Sequence, residues 1–221
     1  MHHKLLAPIV GLFVATLLIT NTLDTKIFTA FGLDLPAGII IFPLAYVFGD
    51  ILTEVYGYTT ARRVIWTGFA SLLLMIVCTE IARILPPAAF YQNDAAFNSV
   101  FTALPRLVAA SFIAYFCGEF VNSYIVAKLK VKTGGHYLAG RFVASTIGGQ
   151  FVDTLVFIGI AFGGTVPLAA LLQIFVSAWL VKVGWEIIAL PITLFIVKRI
   201  KKIENEDFFD RTTNFNPFKL T

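Results

Sequence analysis

Composition and the lengths of the apolar runs predict an all-α integral membrane protein, a bundle of six transmembrane helices. Of 221 residues, 58% are hydrophobic and 14% charged, and the mean hydropathy is +0.83. A water-soluble domain of this size cannot hide that share of apolar side chains. Runs of about 20 apolar residues, the length a helix needs to cross a hydrocarbon core of about 30 Å, recur six times. The connections between them are short, which predicts a single bundle over residues 1–221.

The first expected span, 5–23, follows the weakly basic MHHK. The segment TNTLDTK after it lacks a small-x-small cleavage site, so this span reads as a permanent helix. The second, 36–56, carries Asp50 and Glu54 near its end and closes at a turn on Gly57. The third (61–85), fourth (104–129) and fifth (138–162) follow. The sixth, 166–198, opens with Thr165 as cap and Pro167 in the first turn. Pro191 within it predicts a kink. Residues 199–221 form a short cytoplasmic tail.

Orientation follows from lysine and arginine, which are retained on the cytoplasmic side. Lys4, Arg62, Arg63, Lys128, Lys130, Lys132, Arg141, Lys198, Arg199, Lys201, Lys202, Arg211 and Lys219 fall on one side, leaving Lys26, Arg83 and Arg106 opposite and Lys182 inside a span. Both termini are therefore expected in the cytoplasm. The pI near 9.1 follows from this topology, and nucleic-acid binding is not expected. No phosphate loop, nucleophile elbow or HExxH pair occurs, which argues against an enzyme and against a cofactor. Cys78 and Cys117 read as packing residues, and His2, His3 and His136 do not form a metal site.

The informative residues are the ionisable groups inside the spans, each costing about 2.5–3.5 kcal/mol at mid-bilayer unless it faces the bundle interior. Gly118–Ser123 reads GEFVNS and Gly149–Thr154 reads GQFVDT. Each puts two polar groups three residues apart on one helical stripe, behind a glycine that permits close helix approach. Glu119, Asn122, Gln150 and Asp153 are thus the candidate substrate ligands, expected in one cavity between the fourth and fifth spans. Phe120, Phe151, Tyr115 and Trp185 are candidate aromatic walls. Lys182 and Glu186, four apart, either neutralise each other or meet a ligand; Glu80 and Arg83 read as an interfacial pair. Asp50 and Glu54 are expected to meet Arg62 and Arg63 in a cytoplasmic gate. With Lys182 and Glu186, these residues form a gating or ion-coupling set.

Phe42–Trp66, FPLAYVFGDILTEVYGYTTARRVIW, resembles the signature of the queuosine precursor transporter family, small bacterial membrane proteins akin to vitamin-uptake carriers. Supporting marks are Asn21 and Lys26, LPAG at Leu35–Gly38, Arg141 and Ser145 before GQFVDTLVF, and NFNPF at Asn214–Phe218. GEFVN departs from the family, where glutamine and aspartate are the more usual pair. The resemblance implies a multi-pass protein of the bacterial inner membrane that imports 7-deazaguanine bases. Such a base offers a ring N–H beside an exocyclic amine, a pair of donors that one carboxylate accepts. Two further readings stand beside a self-sufficient carrier: a binding subunit serving a separate ATPase module, and an intramembrane enzyme or structural protein. The sequence is compatible with a homo-oligomer and with an energising subunit.

Overall fold

The computed structural model describes residues 3–23, 26–30, 33–102, 105–164 and 167–219. Thr165, Leu104, His2 and Thr221 lie outside them. Among the described residues the regular elements are helical apart from one short hairpin. In order, the elements are α1 (Leu6–Leu23), the antiparallel strands β1 (Ile27–Ala30) and β2 (Leu33–Pro36), a 3₁₀ turn (Ala37–Ile40), α2 (Phe42–Ile51), a π-helical segment (Leu52–Tyr56), α3 (Tyr58–Ile84), α4 (Asp94–Thr102), α5 (Pro105–Lys132), α6 (Leu138–Phe162) and α7 (Leu168–Glu204).

Among the described residues five helices, α1, α3, α5, α6 and α7, are long and apolar enough to cross a membrane. The expected second span is different: 36–56 is no single helix but 3₁₀, α and π pieces in series. Pro43 in the first turn suits an α-helical start, whereas the π segment widens the coil just after Asp50. Asp50 and Glu54 therefore do not share the simple i, i+4 face that a straight helix would give them. Gly57, with φ of 83°, ends the segment in a conformation that suits glycine. α7 runs on through Pro191 to Glu204, beyond the expected end at 198, and Pro167 flanks the helix rather than occupying its first turn. α4, between the third and fourth expected spans, had no counterpart in the hydropathy pattern.

Side chains are sorted as a lipid-embedded bundle requires. Leu73, Leu74 and Ile81 of α3, and Ile188, Ile192 and Phe195 of α7, face outward. Asp50, Glu54, Glu119, Lys130, Arg141 and Asp153 are buried. An apolar core runs through Phe13, Tyr46, Ile65, Phe69 and Tyr115, and Phe13 and Leu17 of α1 seat against Gly68 of α3.

Several contacts gather five chain segments at one end of the bundle. Glu204, last in α7, accepts the backbone N–H of Lys4 (3.0 Å) before α1 and the hydroxyl of Tyr56 (3.0 Å). Phe208 N–H reaches the Val55 carbonyl (3.2 Å). Lys130 near the end of α5 pairs with Asp207 (2.5 Å), and Arg141 near the start of α6 pairs with Glu54.

Beyond α7, the expected tail is a docked strap. Asp210 accepts the Tyr58 N–H (3.2 and 3.0 Å), placing an anion on the N-terminus of α3. Arg62 donates to the carbonyls of Asn214 (2.8 Å) and Asn216 (2.7 Å), and the Trp66 indole to that of Pro217 (2.8 Å). The side chains of Asn214 and Asn216 each accept the N–H two residues on, at 2.9 Å, holding NFNPF in consecutive turns.

Candidate functional site

α5 and α6 form the closest helix pair, and two glycines set its spacing. A Cβ on Gly118 would lie 2.6 Å from the Asp153 Cβ, 2.6 Å from the Tyr46 hydroxyl and 2.9 Å from the Gly149 carbonyl oxygen. One on Gly149 would lie 2.8 Å from the Asn122 Cβ and 3.1 Å from the Gly118 carbonyl oxygen. The contacts are reciprocal, each glycine meeting the polar residue four positions into the other motif. GEFVNS and GQFVDT thus pack against one another about a local two-fold.

Glu119, Asn122, Gln150 and Asp153 are all buried at this crossing, the two on α5 meeting α2 and the two on α6 meeting α7. The Asn122 amide donates to Asp50 Oδ1 on α2 (2.8 Å). Glu119 lies against Gly49, where a Cβ would sit 1.9 Å from its Oε1, and accepts from Ser123 (3.4 Å). The Gln150 amide donates to Glu186 on α7, which also accepts from Thr146 (2.6 Å). Asp153 binds Lys182 of α7 (2.5 Å), whose ammonium also lies 4.5 Å from the centre of the Phe42 ring. Lys182 therefore pairs across helices, not with Glu186 one turn away. Glu80 and Arg83 do pair with each other.

This interior is only partly satisfied. Tyr46 Oη, Tyr115 Oη, Glu119 Oε2, Asn122 Oδ1, Gln150 Oε1 and Thr154 Oγ1 are buried without a hydrogen-bonding partner among the described residues. Each such atom costs about 1–3 kcal/mol, so six of them leave this interior short of hydrogen bonds. The amide orientations follow from their partners, because only the NH₂ ends of Asn122 and Gln150 can donate to a carboxylate. Their free ends are therefore acceptors.

The space is small. A pocket of about 10 Å³, room for about one water, is lined by Val47, Asp50, Phe142, Thr146, Glu186 and Thr193 among others. None of the four stripe residues lines it. It lies among α2, α6 and α7, whereas the expected place between α5 and α6 is closed by the glycine contacts.

The expected aromatic walls are redistributed. Trp185 is 40% exposed and Phe151 41% exposed; Phe151 packs on Phe175 and Trp179 at the outer surface. Phe120 is buried against Phe116 and Tyr58. Tyr115 is joined by Tyr46, the rings meeting edge to face at 5.8 Å. Tyr46 lies inside the apolar run before Asp50, where nothing local distinguishes it from a core aromatic.

The expected gate has different partners. Glu54 is fully buried and takes two bonds from Arg141 (Nη2 at 3.0 Å) and one from Lys201 (2.5 Å), with Lys130 at 3.6 Å. Arg62 is committed to the strap carbonyls and Arg63 is exposed. Asp207, beyond the spans, bridges Lys130 and Lys201 (2.8 Å). Partial burial pushes its carboxyl up, but the two lysines outweigh this and hold it below the usual carboxylate range.

Comparison with known proteins bears on this arrangement. A family model described as "Putative vitamin uptake transporter" matches residues 36–196. A Bacillus subtilis (strain 168) protein named "Probable queuosine precursor transporter" is 28% identical over 185 residues, 83% of this chain and 81% of that protein. The Escherichia coli (strain K12) "Queuosine precursor transporter" is 28% identical over 125 residues, 57% of this chain and 54% of that protein. No solved structure matches.

Proposed function

Because the chain belongs to the "Putative vitamin uptake transporter" family, we propose that it is a carrier importing queuosine precursors, 7-deazaguanine bases such as the 7-cyano and 7-aminomethyl forms or queuine. It is a multi-pass protein of the bacterial inner membrane. The observation that carries the cargo assignment is the set of unpartnered buried acceptors, Glu119 Oε2, Asn122 Oδ1 and Gln150 Oε1. Acceptors without donors select a ligand that brings adjacent N–H groups, and a guanine-type edge does. The hydroxyls of Tyr46 and Tyr115 can meet its carbonyl and ring nitrogen, and their rings its flat faces. Room for one water does not admit a bicyclic base, so loading requires α2 or α7 to move away from the α5–α6 pair.

In this reading Glu119, Asn122, Gln150 and Asp153 bind cargo. Glu54 with Arg141, Lys130 and Lys201 closes the end of the bundle, taking the place of the Arg62 and Arg63 gate. The gathered chain ends support six crossings, with 37–56 as the sixth and both termini in the cytoplasm.

Binding by the purified protein tests this reading directly, comparing guanine, the two deazaguanine precursors and queuine. The folded protein should prefer a deazaguanine, and Glu119→Gln or Asp153→Asn should weaken that binding at least tenfold, about 1.4 kcal/mol. Absence of binding to every one of these bases overturns the cargo assignment. Uptake in salvage-dependent cells that lack any partner ATPase module is expected for a carrier. Binding without such uptake identifies a substrate-binding subunit instead.

A further inference from the structure

The interior acids outnumber the cations available to them. Asp50, Glu119, Asp153 and Glu186 come from four elements and lie close enough to one another for their charges to interact. Of these four acids, only Asp153 forms an ion pair among the described residues, with Lys182. The hydrogen bonds to the other three come from neutral groups: Asn122 for Asp50, Ser123 for Glu119, Thr146 and Gln150 for Glu186. Nearby, Arg141 is held by Glu54, which also engages Lys130 and Lys201. Three carboxyl groups thus share an interior with no committed counter-charge, an arrangement that is costly if all are ionised.

Two independent features mark where compensation enters. Asp50 and Glu186 line the same water-sized pocket from α2 and α7, with Thr146 and Thr193 on its wall. The amides that hold these acids, Asn122 and Gln150, are fully buried, and each leaves its oxygen unpartnered within one amide width of the carboxyl it binds. An acceptor oxygen left beside a carboxyl calls for a proton-bearing group between them.

We infer that the Asp50–Glu186 pocket takes up positive charge with each loading of the site: a neutral base enters together with a proton held there, whereas a base bearing an ammonium group supplies the charge itself. The balance is simple. A carboxylate oxygen takes a proton from the outer aqueous phase as the neutral base binds, and returns it inside on release, with no bond in the cargo made or broken. This rests on the proposed cargo, but the proton site is testable without it.

The first arm uses the purified full chain in liposomes with the membrane potential clamped at zero. Accumulation of the 7-cyano base should rise about tenfold per pH unit of inward proton gradient, the factor for one coupled proton. That of the 7-aminomethyl base should not respond. Glu186→Gln, or Asp50→Asn should the first variant not fold, should bring the gradient response of the neutral base to about onefold. Gradient-independent accumulation of the neutral base, or equal response by both bases, overturns the inference.

The second arm needs no cargo. Infrared spectra of the protein at pH about 7 should contain the carbonyl band of a protonated carboxylic acid, diminished in Glu186→Gln or Asp50→Asn. Absence of that band overturns the proton site even where a deazaguanine binds. Its presence without any transport leaves the proton site standing and removes the cargo assignment alone.

Discussion

At Gly118 and Gly149 the missing Cβ atoms decide how close α5 and α6 come, and with them where four polar side chains lie. Alanine at Gly118 would meet backbone and a Cβ, neither of which can rotate away. Gly118→Ala is therefore expected to destabilise the protein by about 1–3 kcal/mol through overpacking, and Gly149→Ala comparably, read as lower melting temperatures in detergent. Gly159→Ala on α6, with open space at its Cβ position, is the control and should leave melting unchanged. The glycine and the stripe behind it were legible in GEFVNS and GQFVDT because both are local, set by helical period alone. What spacing cannot convey is the partner on another helix. Lys182 is one turn from Glu186 in sequence and yet binds Asp153, because the α6–α7 contact brings Asp153 to it. Trp185 shows the same limit: an aromatic beside a polar residue reads as a wall, but its place on α7 turns it outward.

Among the elements, hydropathy marked an apolar run over each of the five long helices described, since each must present some 20 apolar residues to lipid, although α7 runs past the expected 198 to Glu204. It missed the break in 37–56, where apolar content persists while the backbone changes from 3₁₀ to α to π. It also missed the strap, whose polar sequence resembles a free tail and whose anchors, Arg62, Trp66 and Tyr58, lie some 150 residues earlier. The strap carries a pH signature through Asp207. Its carboxyl is held below the usual range by Lys130 and Lys201, so its contribution is complete above the unfolded value of about 3.9 and is lost as pH falls through the lower folded value. An environment-sensitive fluorophore on Lys219→Cys, with Cys78 and Cys117 changed to serine, should report a docked strap unchanged from pH about 7 to about 5, and loosening below about 4. In Asp207→Asn the strap should already be looser at neutral pH.

For the whole molecule, the gathered ends constrain how many times the chain crosses. The start of α1, the Gly57 turn, the end of α5, the start of α6 and the end of α7 meet through the Glu204, Glu54 and Asp207 contacts. In the proposed topology the chain leaves this end along α1 and returns to it by Gly57 through 37–56, although no piece of that segment is long enough to span alone. Irregular backbone at membrane depth is tolerated when protein covers it, and Tyr46, Asp50, Leu52 and Val55 of this segment are buried. The expected count is six, with the end rich in lysine and arginine in the cytoplasm. Single cysteines in a background lacking Cys78 and Cys117 test this with a membrane-impermeant maleimide on intact cells. Gln92→Cys, in the exposed segment after α3, should be labelled from outside. His136→Cys, between α5 and α6, should be labelled only after the membrane is opened. A label on Lys26→Cys decides the role of 37–56: labelling from outside requires the segment to cross, whereas protection together with an outside-labelled Gln92→Cys would leave five crossings and overturn the even count.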